Sequence, residues 1–169
     1  MAEKKVAVVM GSESDLEAMS AAIDQLARFG VPFDVHVLSA HRAPDAVAEF
    51  AATAEESGVE VIIAGAGKAA HLPGVIAAQT YLPVLGVPMV TRLAGGLDSL
   101  LSMAQMPRGV PVATMGTGAS GAENAAILAA QILARSDAEL RDKLANYKSE
   151  MHTRVQKTSE DVRRRLGLE

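Results

Sequence analysis

Five short apolar runs punctuate the chain at near-regular intervals: Val6 to Met10, Phe33 to Leu38, Val59 to Ala64, Val84 to Val87 and Val112 to Met115. The first is continuous, as expected of a strand covered on both faces, whereas the second alternates. Helical patterns fill the gaps: Ser14 to Phe29, Pro44 to Ser57, Pro73 to Thr80, Leu97 to Met103 and Ala122 to Ala134. Strands alternating with helices demand a parallel sheet with helices on both faces, because each crossover needs a helix's length of chain. The predicted fold is therefore α/β, a flavodoxin-like three-layer sandwich of about five strands. By analogy with that arrangement the strand order is 2-1-3-4-5.

Local signals support the boundaries. Ser14 followed by Glu17 fits a capping box for the first helix. Gly30-Val31-Pro32 and Gly58 are helix stops. Beyond the fifth strand unit, Leu140, Leu144, Tyr147, Met151, Val155, Val162 and Leu166 recur at spacings of mostly three, four or seven among mixed charges. This is an amphipathic helix. The chain is thus read as a catalytic unit, 1–136, and a C-terminal helix, 137–169, packing on its own domain or a partner subunit. The stripe outlasts the width of a small domain, which favours a partner.

Composition excludes several functions. A formal charge of −4 leaves no electrostatic footprint for nucleic acid, and 3% aromatic residues offer little stacking surface. No cysteine is present, so thiolate chemistry is excluded. No apolar run nears the roughly 18 residues of a membrane span, and the five-residue apolar run that follows Met1 to Lys5 is too short for the apolar core of a signal peptide, so none is expected. A cytoplasmic protein is the expectation. The 31 alanines suit close helix–sheet packing.

In a parallel sheet the carboxyl ends of all strands share one edge, where ligands bind. Order 2-1-3 brings together three polar turns there: Ser12, Ser14 and Asp15 after the first strand, Ser39, His41 and Arg42 after the second, and His71 after the third. Gly11 to Asp15 leads from strand to helix, and its backbone N–H groups and hydroxyls suit an anion. The Arg42 fork matches a phosphate. Asp15 would repel phosphate and is better explained as the acceptor of a ribose diol. Ser14 and Asp15 serving only the helix terminus is the simpler alternative. His41 can exchange a proton near neutral pH. Gly65-Ala66-Gly67-Lys68-Ala69-Ala70 fits a GxGxxA dinucleotide fingerprint, but no acid follows about 20 residues on to hold the ribose, so that reading is rejected. The glycines rather let backbone approach a small flat ligand. The four histidines are scattered, so no metal is expected; His36 and His152 are read as structural or exposed.

Several motifs occur in order: Val9-Met10-Gly11-Ser12-x-Ser14-Asp15, Ser39-Ala40-His41-Arg42, Ala64-Gly65-Ala66-Gly67, Ala69-Ala70-His71-Leu72-Pro73-Gly74, Leu85-Gly86-Val87-Pro88, Gln105-Met106-Pro107-x-Gly109 and Asn124-Ala125-Ala126. Over residues 5 to 135 the chain resembles the class I N5-carboxyaminoimidazole ribonucleotide mutases (PurE) of de novo purine (IMP) biosynthesis. The resemblance implies a homo-octamer, no metal or organic cofactor, and an isomerase that decarboxylates a carbamate and recarboxylates the ring at carbon. It implies His41 as general acid/base and His71 as a second site histidine. Ser12, Ser14, Ser39 and Arg42 would hold the phosphate, Asp15 the ribose, and backbone around Ala66, Gly67 and Leu72 the base. The alternatives are an aminoimidazole ribonucleotide carboxylase using carbon dioxide directly, or a non-enzymatic nucleotide-binding α/β module. Arg42 and the His71 loop favour the mutase, because the carboxylase branch typically carries Lys in place of Arg42. One departure stands out: Lys68 occupies a position where the family usually has Gly. Its ammonium is free to meet a substrate carboxylate, a neighbouring subunit's acid or solvent. If the position requires positive φ, it carries a cost of about 1 kcal/mol or more.

Overall fold

A computed structural model of the chain describes residues 5–168. Residues 1–4, part of the stretch on which the secretion-signal expectation was read, and residue 169 lie outside the described residues. The sheet consists of β1 (Val6–Met10), β2 (Phe33–Val37), β3 (Val61–Ala66), β4 (Val84–Pro88) and β5 (Ala113–Thr114), all parallel, in the order β2-β1-β3-β4-β5. This is the predicted flavodoxin-like order. The helices are α1 (Leu16–Phe29), α2 (Pro44–Thr53), α3 (Leu72–Ala77), α4 (Leu97–Ala104), α5 (Ala119–Leu133) and α6 (Ala138–Arg165).

Strand periodicity splits the core in two. Val6, Val8 and Met10 of β1 point to one face and join Met19, Ala22 and Leu26 of α1 with Ala122, Ala125, Ala126 and Ala129 of α5. Ala7 and Val9 point to the other face, against Val47 and Ala51 of α2, Ile76 of α3 and Met103 of α4. The alanines let α1 and α5 pack side by side over the sheet. The three interior strands, β1, β3 and β4, are wholly buried, whereas edge strand β2 leaves Val35 and Val37 exposed.

Several boundaries differ from the sequence reading, each for a local reason. The capping box does not form. Glu13–Asp15 makes a single 3-10 turn, and Ser12, not Ser14, caps it: Ser14 N–H donates to Ser12 Oγ at 3.3 Å. Helix α1 then begins at Leu16 without a side-chain cap. Helix α2 stops at Thr53, four residues early, and turns carry the chain through Gly58 at φ 90°. Strand β3 extends through Gly65 and Ala66, which the sequence reading assigned to a loop. A Cβ at Gly65 would stand 2.5 Å from Met19 Sδ, so glycine here admits α1 onto the strand. Strand β5 pairs over only two residues, Leu85↔Ala113 and Gly86↔Thr114.

The first half of α6 packs on its own domain. Leu140, Leu144 and Tyr147 are buried, and the Tyr147 ring meets Phe29 edge-on at a centroid distance of 5.5 Å. Tyr147 O–H donates to Glu123 at 3.2 Å, and Arg28 lies over the tyrosine ring and pairs with Glu150. From Met151 onward the stripe leaves the domain: Met151, Val155, Val162 and Leu166 are all exposed.

Candidate active site

The carboxyl edge of the sheet holds a cleft of about 980 Å³. Every residue singled out from the sequence lines it: Ser12, Ser14, Asp15, Ser39, His41, Arg42, Ala66, Gly67, His71 and Leu72. β1 lies between β2 and β3, and this topology brings their three turns together.

At one end, three oxygens gather on the turn after β1. The Ser14 hydroxyl lies 3.0 Å from Ser12 Oγ and 3.4 Å from Asp15 Oδ1. Across from it, Ser39 does not cap α2. Its Oγ accepts from Arg42 N–H at 3.3 Å and from Arg42 Nε–H at 3.2 Å, while Arg42 Nη2–H donates to the Gly11 carbonyl at 3.3 Å. The guanidinium is thereby fixed beside the β1 turn, and among the described residues no carboxylate pairs with it. An oriented, unpaired cation among hydroxyls is a site for an anion. Burial, the largest influence, raises the Asp15 carboxyl above its ordinary value, against the Ser14 hydroxyl and Ser12 backbone contacts that lower it.

Toward the cleft's middle, His41 Nε2 and His71 Nδ1 stand 2.8 Å apart, with the rings nearly perpendicular at 76°. The two histidines come from different turns, 30 residues apart. When both are neutral one nitrogen must donate and the other accept, so the tautomer of one ring sets that of its partner. If His71 Nδ1 accepts, His41 Nε2 carries its proton; the reverse tautomer leaves His41 Nε2 as the acceptor. Sequence reasoning placed both histidines in the crevice but did not foresee this bond.

The wall after β3 is backbone. Gly67 has room for no more: a Cβ would stand 3.1 Å from that of Met89. Lys68 follows at φ 62°, so the conditional steric cost applies, about 1–2 kcal/mol for a side chain in the left-handed region. Its backbone is held from both sides. Lys68 N–H donates to the buried Ser99 Oγ at 2.9 Å, and its carbonyl accepts from Ser102 Oγ at 3.2 Å. Sequence reading missed the far wall, supplied by Met89, Val90 and Thr91 after β4 and by Gly118 and Ala119 at the start of α5. The signal was available: in a parallel sheet the turns after the fourth and fifth strands reach the same edge as the first three. His36 lies outside the cleft, against Phe50 and 3.6 Å from Asp34, and His152 is exposed on α6. Among the described residues no three His, Asp or Glu side chains are grouped to hold a metal ion.

Fold and cleft together define a class: a doubly wound α/β protein whose switch-point crevice sets an unpaired guanidinium and serine hydroxyls beside a histidine pair. The AIR carboxylase family model matches residues 5–154, and the chain belongs to that family. It is 54% identical over 147 residues to an N5-carboxyaminoimidazole ribonucleotide mutase of Pyrococcus abyssi, covering 87% of this chain and 83% of that one. The mutase of Escherichia coli K12 is 55% identical over 144 residues, 85% of each chain, and that of Bacillus subtilis 51% identical over 157 residues, 93% and 97%. Among solved structures, Treponema denticola PurE superposes with a TM-score of 0.79 at 28% identity, covering 94% of this chain and 96% of that one.

Proposed function

We propose that this chain isomerises N5-carboxyaminoimidazole ribonucleotide to 4-carboxy-5-aminoimidazole ribonucleotide in purine biosynthesis, with His41 moving the protons. The observation that carries the proton role is the 2.8 Å His41–His71 contact inside the cleft, one residue from the fixed Arg42 guanidinium. Ser12, Ser14, Ser39 and Arg42 hold the phosphate, and Asp15 accepts from the ribose hydroxyls. Backbone around Ala66, Gly67 and Leu72 frames the ring.

The steps balance without a co-reactant. The carbamate N–C bond breaks, its electron pair stays on nitrogen, and His41 supplies a proton to the amine as carbon dioxide leaves. Ring carbon 4 then attacks the retained carbon dioxide. His41 takes the proton that carbon 4 loses, which returns the site to its starting charge. Ala40, Ala66, Ala69, Leu72 and Met89 supply the apolar part of the cleft wall. Such a wall favours loss of a carboxylate as neutral carbon dioxide and excludes water that would hydrate it. His71 fixes the tautomer of His41. Because the reaction is redox neutral, the reading calls for no cofactor.

The family's description as an AIR carboxylase favours one second reading, direct carboxylation of the aminoimidazole ribonucleotide. Turnover of the carbamate without ATP or added bicarbonate separates the two. The mutase reading expects conversion, and a requirement for added carbon dioxide would replace it by the carboxylase. We further propose that the working form is a cytoplasmic homo-oligomer, an octamer by family resemblance. In it the 1–136 unit carries the cleft and the outer half of the 137–169 helix meets a partner. The exposed stripe from Met151 to Leu166 supports this, as do exposed Val90, Leu93, Leu97 and Leu101 on α4 and the loop before it.

A further inference from the structure

Among the described residues lining the cleft, the only Lys or Arg side chains are Arg42 and Lys68. Arg42 stands among hydroxyls on the turn after β2. Lys68 stands on the loop after β3, three residues before His71. One strand, β1, separates the two strands they follow, whose axes are thus roughly 10 Å apart. A phosphorylated ribose bearing a five-membered ring spans a similar length. A carboxylated ribonucleotide carries two anionic groups, one at each end.

Three observations bear on Lys68. Its backbone is in the left-handed region, which a non-glycine residue rarely adopts, and is locked there by Ser99 and Ser102. A strained residue persists where its surroundings hold it, and such residues cluster at ligand sites. Second, the ammonium forms no ion pair or hydrogen bond among the described residues. Third, it feels the Asp98 carboxylate in the first turn of α4, whose pKa is held below the ordinary carboxylate range first by the Thr91 hydroxyl and also by Lys68. Asp98 is itself engaged, accepting from Thr91 Oγ1 at 2.5 Å and from Ser99 N–H at 2.9 Å. Lys68 therefore lines the cleft with an ammonium left without a hydrogen-bond or ion-pair partner among the described residues.

We propose that the Lys68 ammonium binds the carboxylate of the ribonucleotide, opposite the phosphate held by Arg42, and so makes this cleft discriminate carboxylated from uncarboxylated ligand. The proposal rests on the mutase reading for its ligand. It adds a contact that a glycine at this position does not supply. The carboxylate is present in both the carbamate and the carbon-carboxylated product, so Lys68 strengthens the binding of both and need not alter their ratio. Its loss should raise KM without lowering kcat.

The test uses Lys68→Gly and Lys68→Met. Glycine relieves the backbone strain and removes the charge; methionine removes the charge and keeps the strain. Calorimetry measures each variant with 4-carboxy-5-aminoimidazole ribonucleotide and with 5-aminoimidazole ribonucleotide. Both variants are expected to lose about 5- to 30-fold in affinity for the carboxylated ligand and less than about 2-fold for the uncarboxylated one, the scale of a charge-assisted hydrogen bond. Lys68→Arg should retain most of the discrimination. Equal losses for both ligands, no loss, or a loss in Lys68→Met alone would overturn the proposal. Carbamate turnover by the unmodified protein, run in parallel, reads the mutase assignment separately. Turnover with unchanged discrimination in the variants defeats only the Lys68 role.

Discussion

His41 and His71 share one hydrogen bond, and that bond makes their roles separable by experiment. Replacing His41 with Asn keeps its size and some hydrogen bonding but removes the titrating nitrogen. The expected outcome is binding within about tenfold of wild type, roughly 1.4 kcal/mol, with turnover lower by about 10² to 10⁴. His71→Asn leaves His41 able to titrate and should cost less. Steady-state kinetics on both variants decide it: His41→Asn retaining a tenth of activity while His71→Asn is dead would reverse the assignment. Asp15 yields a prediction in pH. Its folded-state acidity is weakened by burial, so below the ordinary value of 3.8 it is protonated in both states and costs nothing. As pH rises from there through the raised value, the unfolded chain ionises first and stability falls. Asp15→Asn should therefore be progressively more stable than wild type as pH rises across that window in urea titrations, while ribonucleotide affinity drops. A stability gap that closes with rising pH would contradict the burial account.

Glycine in β3 sets how closely an element can approach. Gly65 lies in a buried strand directly under Met19 of α1, with no space for a methyl group. Gly65→Ala should destabilise the protein by about 1–3 kcal/mol, the cost of overpacking a dense core, measured by chemical denaturation. Because β3 leads straight into the Gly67–His71 wall, the same substitution is expected to raise KM for the ribonucleotide. An unchanged midpoint would show that α1 can shift freely. The alanines between α1 and α5 follow the same logic: small side chains allow the closeness, and closeness holds the turn after β1 over the cleft.

For the whole molecule, α6 is one helix with two environments. Its inner half is anchored by Leu140, Leu144 and Tyr147, and its outer half carries an apolar stripe beyond the domain's edge. A 28-residue helix is about 42 Å long at 1.5 Å per residue, too long for this domain to cover. An oligomer is the expected state in light scattering at micromolar concentration. Val155→Glu should shift it toward smaller species without altering the urea midpoint of the dissociated chain, since Val155 is 70% exposed in the isolated chain. A monomeric wild type would remove the proposed role of the outer half.

The alternation of strand and helix, the continuous apolar run of β1, and the residues of the first three turns at the cleft were legible along the chain, because period and motif are local properties. Strand order came by analogy, and it brought the three polar turns to one edge. Other features depended on packing. The cap moved from Ser14 to Ser12 because the turn tightened into a 3-10 form. Gly65 became a strand residue because β1 and β4 pair with it. The His41–His71 bond joins turns 30 residues apart, and its length follows from sheet register and twist. Lys68 was recognisable as a departure, but its left-handed backbone and its unpaired ammonium were set by Ser99, Ser102 and Asp98 on α4. The sequence alone determined which chemical groups the cleft could contain; only the tertiary structure decided which of them touch, since contact between turns depends on how whole strands align and how closely helices press upon them.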